Sequence, residues 1–306
     1  MPAPQDPRIA FIIPAYNEAG AIGQTIDEAR RQVPGSLVVV CDNNSTDATA
    51  LEAERAGAVV LYEPVRGKGN AVRRLLRDVE AEIYVMVDGD NTYDLSGIAA
   101  AIDRLRSQGF DLLTGDRLAS AASHMRRGHG AGNRLFSGLL KAITGVGTAD
   151  VFSGLRILSR RLVRSFPAVS SEFEIETELS IFASRMRLPA ADFPTHVRRR
   201  VGTESKLNTL RDGLKISAFI LRLLHREFPL RLYGPLGLLI LLVSLVLFAG
   251  VYMDYLVTGQ VARMPTLVFS LFGVAGSMAL FGLGLILKEI SNFKYENRYF
   301  SYLANR

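Results

Sequence analysis

The triplet Asp88-Gly89-Asp90 is the part of this chain best suited to chemistry. It sets two carboxylates two residues apart at the end of the apolar run Ile83-Tyr84-Val85-Met86-Val87, which reads as a buried strand. Ligands of open α/β sheets collect at the carboxyl ends of the strands. Two carboxylates there suit a hard divalent cation, Mg2+ or Mn2+, shared with substrate phosphates. Asp-Gly-Asp is also good turn chemistry, and the triplet by itself leaves both readings open. Lys68 stands between Gly67 and Gly69, a setting in which backbone and ammonium can both approach a phosphate. The alternative for Lys68 is a solvated surface lysine.

The elements that must position these groups alternate. Strands are expected at 9–13, 37–40, 58–62 and 83–87, with helices at 19–32, 48–56, 68–79 and 95–108 between and after them. This pattern predicts an α/β domain with a mostly parallel sheet and helices on both faces. A strand at 111–114 follows, then a basic, glycine-rich stretch from Ser120 to Gly132 that reads as a mobile loop. Helices are expected at about 134–143 and 172–187. The first strand is followed by Pro14-Ala15-Tyr16-Asn17-Glu18 rather than G-x-G-x-x-G, and Gly67-Lys68-Gly69-Asn70 lacks the rest of a phosphate loop. Dinucleotide oxidoreductases and phosphate-loop hydrolases are therefore disfavoured.

Much of the mean hydropathy of +0.18 lies in two segments, since no charge occurs between Arg231 and Asp254 or between Arg263 and Lys288. Each gap exceeds the ~20 residues a helix needs to cross a bilayer. Nine Lys or Arg against three acids lie from Arg198 to Arg231, and more basic residues follow the second segment. The positive-inside rule then puts both flanks in the cytoplasm, with a short external loop. From 206 to 228, apolar residues interleaved with Lys and Arg predict an amphipathic helix lying in the membrane interface. A helix packed on the domain is the alternative. Anionic lipid is the expected partner of the basic charge, and nucleic acid is not. The single cysteine, Cys41, excludes an internal disulfide and reads as a small buried hydrophobe.

The motifs Ile13-Pro14-Ala15-Tyr16-Asn17-Glu18, Asp42-Asn43-Asn44-Ser45-Thr46-Asp47, Arg66-Gly67-Lys68-Gly69, Asp88-Gly89-Asp90 and Gly115-Asp116-Arg117 are followed by Asp150 with Ser153-Gly154-Leu155-Arg156, and by Arg200 with Ser205-Lys206-Leu207-Asn208. In this order the set resembles the inverting family-2 glycosyltransferases. It is most similar to the polyprenyl-phosphate hexose synthases, the dolichyl-phosphate mannose and glucose synthase group. The resemblance implies a GT-A-type domain at 1–205, an interfacial helix at 206–230, two transmembrane helices at 231–288 and a cytoplasmic tail at 289–306. It implies that Pro14, Tyr16, Glu18, Asp42, Lys68, Asp88, Arg200 and Lys206 bind the nucleotide sugar. Asp88 and Asp90 would hold the metal, and Arg117, Arg134 and Ser137 the acceptor phosphate. Asp150 matches the place of the family's catalytic base, and here is expected to orient the acceptor or the Arg156 side chain. Two positions depart from the family. Asp42 is followed by Asn43-Asn44 where Asp-Gly is common, and Thr92 replaces a common Gln.

The expected activity is transfer of one hexose from a nucleotide sugar, UDP-hexose rather than GDP-mannose, to polyprenyl phosphate with inversion at the anomeric carbon. The expected site is the inner face of the cell membrane, with a homo-oligomer, a tetramer as one form, implied by resemblance. Transfer to a lipid or glycan hydroxyl and a non-catalytic nucleotide-sugar scaffold are the alternatives. A processive polysaccharide synthase is disfavoured, because its Gln-x-x-Arg-Trp motif needs a tryptophan and this chain has none.

Overall fold

The computed structural model describes residues 8–117, 138, 150–172, 174–198 and 221–305. Two compact units emerge, one of residues 1–204 with 298–306 and the other of 205–297.

In the first unit, strands β1 (Ile9–Ala15), β2 (Leu37–Asp42), β3 (Val59–Tyr62), β4 (Ile83–Met86), β5 (Leu112–Asp116), β6 (Arg156–Ser159) and β7 (Ala190–Pro194) form one sheet in the order β3-β2-β1-β4-β6-β5-β7. All neighbouring pairs are parallel except those of β6, which runs antiparallel between β4 and β5. Helices α1 (Ile22–Gln32), α2 (Thr49–Arg55), α3 (Lys68–Asp78) and α4 (Ile98–Gln108) fill the crossovers, and α5 (Arg160–Ser165) and α6 (Glu174–Arg185) follow β6. The expected helices at 19–32 and 95–108 begin about a turn later than their sequence pattern suggests.

The pleat decides the packing. Phe11, Ile13 and Ala15 of β1 join Val38, Val40, Val85 and Ile157 under Ile22 and Ile26 of α1 and Ile98 and Ile102 of α4, all essentially buried. The alternate residues Ala10, Ile12, Val39 and Met86 are equally buried. They lie on the opposite face, where α3 packs on β1 and β2. Strands buried on both faces read as continuous apolar runs, which is how they were legible. Because β2 and β4 flank β1 on opposite sides, the chain reverses its winding direction there, and a crevice opens at the carboxyl ends of β1 and β4.

Helix α7 (Pro229–Thr258), in the second unit, and α8 (Met264–Ala304), in that unit up to residue 297, are long and apolar enough to cross a membrane. Val243, Val246, Phe269 and Phe272 are exposed, so these helices are not the core of a soluble domain. Gly273 of α8 has no room for a Cβ, which would lie 2.0 Å from Ser244 Oγ of α7. Close backbone approach at small residues is how apolar helices associate in lipid. Gly259 closes α7 in the left-handed region at φ 66°. Residues 221–227 are helical, and the rest of the expected interfacial helix lies outside the described residues.

Candidate active site

The loops after β1 and β2 are stitched into one wall. The Asn17 backbone N–H donates to Ser45 Oγ (2.9 Å), Thr46 donates back to Asn17 Oδ1 (2.8 Å), and Glu18 N–H donates to Thr49 Oγ1 (2.8 Å). Asn43, at the family's Asp position, donates from Nδ2 to the Glu63 and Val65 carbonyls while its Oδ1 accepts from Gly67 N–H at 2.7 Å. A carboxylate only accepts, so an ionised Asp could not make the first two bonds. Asn44 adopts φ 60°, a conformation that Asn tolerates at the place where relatives use Gly. The departure from the family motif thus has a structural reason.

This wall and the end of β4 enclose a cavity of about 430 Å³ lined by Pro14, Tyr16, Glu18, Asn43, Arg66, Gly67, Lys68, Asp88, Asp90 and Glu172, among others. Tyr16 stands half-exposed with the Arg66 guanidinium 4.9 Å from its ring centre. Asp42 is buried beside the cavity, and its Oδ1 has no hydrogen-bond partner among the described residues. Asp90 Oδ1 accepts from Thr92 N–H (3.1 Å) and Thr92 Oγ1 (2.7 Å), so the Thr in place of Gln aims this carboxylate. Among the described residues no three His, Cys, Asp or Glu side chains converge on one point. Asp88 and Asp90 both line the cavity, and two carboxylates of this kind would suit a hard cation shared with phosphate oxygens.

Lys68 is the first residue of α3, and its ammonium bridges Asp88 and Glu176, the latter at 2.5 Å. The two carboxylates hold its pKa above the lysine range although burial opposes this, and burial raises that of Glu176. The flanking glycines have another task than the sequence suggests. A Cβ on Gly67 or Gly69 would lie 2.2 Å from the carbonyl of Ser171 or Ser170, so they admit the Ser170–Ser171 backbone.

On the far side of Asp88, Arg117 grips Asp150 with both ends of its fork, Nε to Oδ2 at 2.5 Å and Nη2 to Oδ1 at 2.9 Å. Asp150 is fully buried. Arg156 is not its partner. That side chain, also fully buried, donates to the Ser153 and Val151 carbonyls and to Ser180 Oγ. Between the two regions lies Gly154, whose Cβ would stand 2.3 Å from Asp88 Oδ2 and whose N–H donates to the Tyr93 hydroxyl at 2.7 Å.

Of the residues expected to act, Pro14, Tyr16, Glu18, Lys68, Asp88 and Asp90 share the cavity, Asp42 adjoins it, and Arg117 with Asp150 forms a separate pair. Arg134, Ser137, Arg200 and Lys206 lie outside the described residues. Glu176, Glu172, Tyr93 and Gly154 were not singled out for the site from sequence. Glu176 sits in an amphipathic helical pattern where an acid reads as first-turn stabilisation, which it also supplies.

Residues 10–166 match the family model described as glycosyl transferase family 2. The chain is 30% identical to glycosyltransferase AglJ of Haloferax volcanii over 92% of this chain and 93% of that protein. The chain belongs to glycosyl transferase family 2. This glycosyltransferase is also 29% identical to a dolichyl-phosphate hexose transferase of Haloferax volcanii, over 72% of this chain and 95% of that one. Among solved structures it resembles glucosyl-3-phosphoglycerate synthase from Mycobacterium tuberculosis in complex with Mn2+ and UDP-glucose. There the TM-score is 0.57 with 26% identity, covering 72% of this chain and 78% of that chain. The fold of the glycosyltransferase is accordingly of the GT-A type.

Proposed function

We propose that this glycosyltransferase moves one hexose from UDP-hexose to polyprenyl phosphate, with inversion, at the cytoplasmic face of a membrane. The observation that carries the reading is one chain holding both a two-carboxylate cavity of about 430 Å³ and an apolar helix pair. The cavity falls in the size range of small-ligand sites. The similarity to a dolichyl-phosphate hexose transferase supports the acceptor class, and the UDP-glucose complex of the structural relative supports the donor.

Each side chain has a task in this reading. The unpaired Asp42 oxygen accepts from a nucleoside hydroxyl. The amino end of α3, carrying Lys68, adds positive potential toward the diphosphate. Asp88 and Asp90 are the residues that would hold a divalent ion, and that ion, when bound, supplies charge neutralisation of the departing nucleoside diphosphate. The acceptor phosphate is mostly dianionic at pH 7 and needs orientation more than deprotonation. Arg117 offers its positive charge for it, and the two hydrogen bonds to Asp150 hold that guanidinium in place. The carboxyl-terminal segment supports an even number of membrane crossings. Residues 298–306 group with the catalytic unit, and the Tyr302 hydroxyl donates to the buried Asp111 at 2.8 Å.

The deciding experiment incubates the full chain in detergent with UDP-glucose, UDP-galactose, UDP-N-acetylglucosamine or GDP-mannose and with undecaprenyl phosphate or undecaprenol. Product is expected from a UDP-sugar with the phosphate acceptor alone. Product from the alcohol would favour hydroxyl transfer instead.

A further inference from the structure

Lys68 is placed against its own electrostatic interest. A cation at the first position of a helix meets the positive end of the helix dipole, and the side chain is also 11% exposed, so it loses hydration. Two carboxylates offset this, Asp88 from the end of β4 and Glu176 from the first turn of α6. Asp88 belongs to the cavity, and its side chain is 29% exposed. Glu176 does not line it and is 5% exposed.

The surrounding structure is built to deliver Glu176 to this place. Gly67 and Gly69 have no side chain, and the Ser170–Ser171 backbone occupies the space a Cβ would take. Asn70 N–H donates to the Ser171 carbonyl. From α3, Arg73 reaches the carbonyls of Ala168, Val169 and Ser170 at 2.6, 2.8 and 3.2 Å. From α6, the Glu178 carboxylate accepts from the N–H groups of Val169 and Ser170. Ala168 is held at φ 45°, a strained value for a residue with a side chain. This clamp joins the first two turns of α3 and α6, and Lys68 and Glu176 are the charges it brings together.

We infer that Glu176 is a positioning residue of the donor site, which shares the Lys68 ammonium so that Asp88 stays available to the nucleotide sugar and its cation. The inference rests on the donor site proposed above. With both carboxylates charged, the ammonium divides its attraction between them. Without the charge on Glu176, Asp88 is the carboxylate left paired to the ammonium among the ion pairs of the described residues, and the lysine becomes a competitor for the carboxylate that the donor needs. Removing Lys68 leaves Glu176 with nothing to act through.

The two substitutions must therefore be coupled, and a double-mutant cycle reads the coupling directly. Calorimetric titration of UDP-glucose in the presence of Mn2+ into the full chain in detergent is the measurement, with thermal unfolding of each variant alongside. Glu176→Gln is expected to weaken binding about tenfold, in the range of one charged hydrogen bond. Lys68→Met is expected to weaken it as well, and adding Glu176→Gln to Lys68→Met to change it no further. The double variant is expected to unfold at a higher temperature than Lys68→Met alone, which strands a buried carboxylate. Multiplying losses, or wild-type affinity in Glu176→Gln, would overturn the inference while leaving the donor site standing. If Asp90→Asn binds UDP-glucose like the wild type, the donor reading fails and this inference fails with it.

Discussion

Arg117 and Asp150 are joined by two hydrogen bonds, 2.5 and 2.9 Å long, with the carboxylate fully buried and the arginine 29% exposed. The pair makes the arginine, rather than the aspartate, the group presented outward. Arg117→Ala should raise the KM for the phosphate acceptor by an order of magnitude or more and lower stability by about 3 kcal/mol, the low end for breaking a buried pair. Arg117→Lys should restore part of the stability and less of the affinity, because a lysine lacks the fork. Acceptor kinetics together with chemical denaturation check both. If Arg117→Ala leaves acceptor KM unchanged, the pair is structural only.

Asp90→Asn tests the metal site without disturbing its frame. The amide oxygen can still accept from Thr92 N–H and Oγ1, so the unfolding temperature should stay near that of the wild type. Turnover should fall at least ~100-fold, as for loss of a charged group that acts on the leaving diphosphate. Chelator should abolish wild-type turnover, and Mg2+ or Mn2+ should restore it. Full activity in excess chelator would exclude the assignment.

Gly154→Ala should act on the donor from outside the cavity. The new methyl would be forced to within 2.3 Å of Asp88 Oδ2, so the carboxylate must move. A donor KM about tenfold higher or more is expected, since a shift of this kind readily costs 1.4 kcal/mol. Gly20→Ala meets nothing within 4 Å and should stay within about 0.5 kcal/mol of the wild type. Equal behaviour of the two variants would contradict the geometry.

Tyr302→Phe probes the carboxyl-terminal anchor. The hydroxyl donates to Asp111, which is fully buried and also bound by Ser159 and Arg161. Losing a hydrogen bond to a charged acceptor should cost about 1.5–3 kcal/mol. Limited proteolysis of the full chain should cut the catalytic unit faster in this variant. An unchanged digestion rate would mean that the contact adds nothing to stability.

Cys41 makes a direct topology test possible. Burial pushes its thiol up to about 12, so in the folded protein it stays protonated and unreactive at pH 7–8. Cysteines introduced at exposed Gln260 and Ala304 should therefore report alone. Gln260 is preferable to Gly259, whose φ of 66° penalises any side chain. In intact cells an impermeant maleimide should label Gln260→Cys and not Ala304→Cys. Labelling of both, or of Ala304→Cys alone, would refute the even crossing.

The sequence by itself determined the first five strands, the crossover helices and the two apolar helices, while β7 was not read from it. These depend on local periodicity, and strands covered on both faces announce themselves as unbroken apolar runs. It also pointed to the carboxyl ends of β1, β2 and β4 for the site, because ligands of open α/β sheets collect there. The antiparallel β6 was not legible, since Arg156–Ser159 is four residues long and its pairing with β4 is made across more than sixty residues of chain. Only the tertiary structure decided which charges pair. Arg117 rather than Arg156 takes Asp150, and Lys68 turns to Glu176 as well as Asp88. Only the structure showed that Gly67 and Gly69 make room for Ser170 and Ser171. Ion pairing in a dry interior depends on separations of a few ångströms and on what else shares the cavity wall, and neither is a property of residue order.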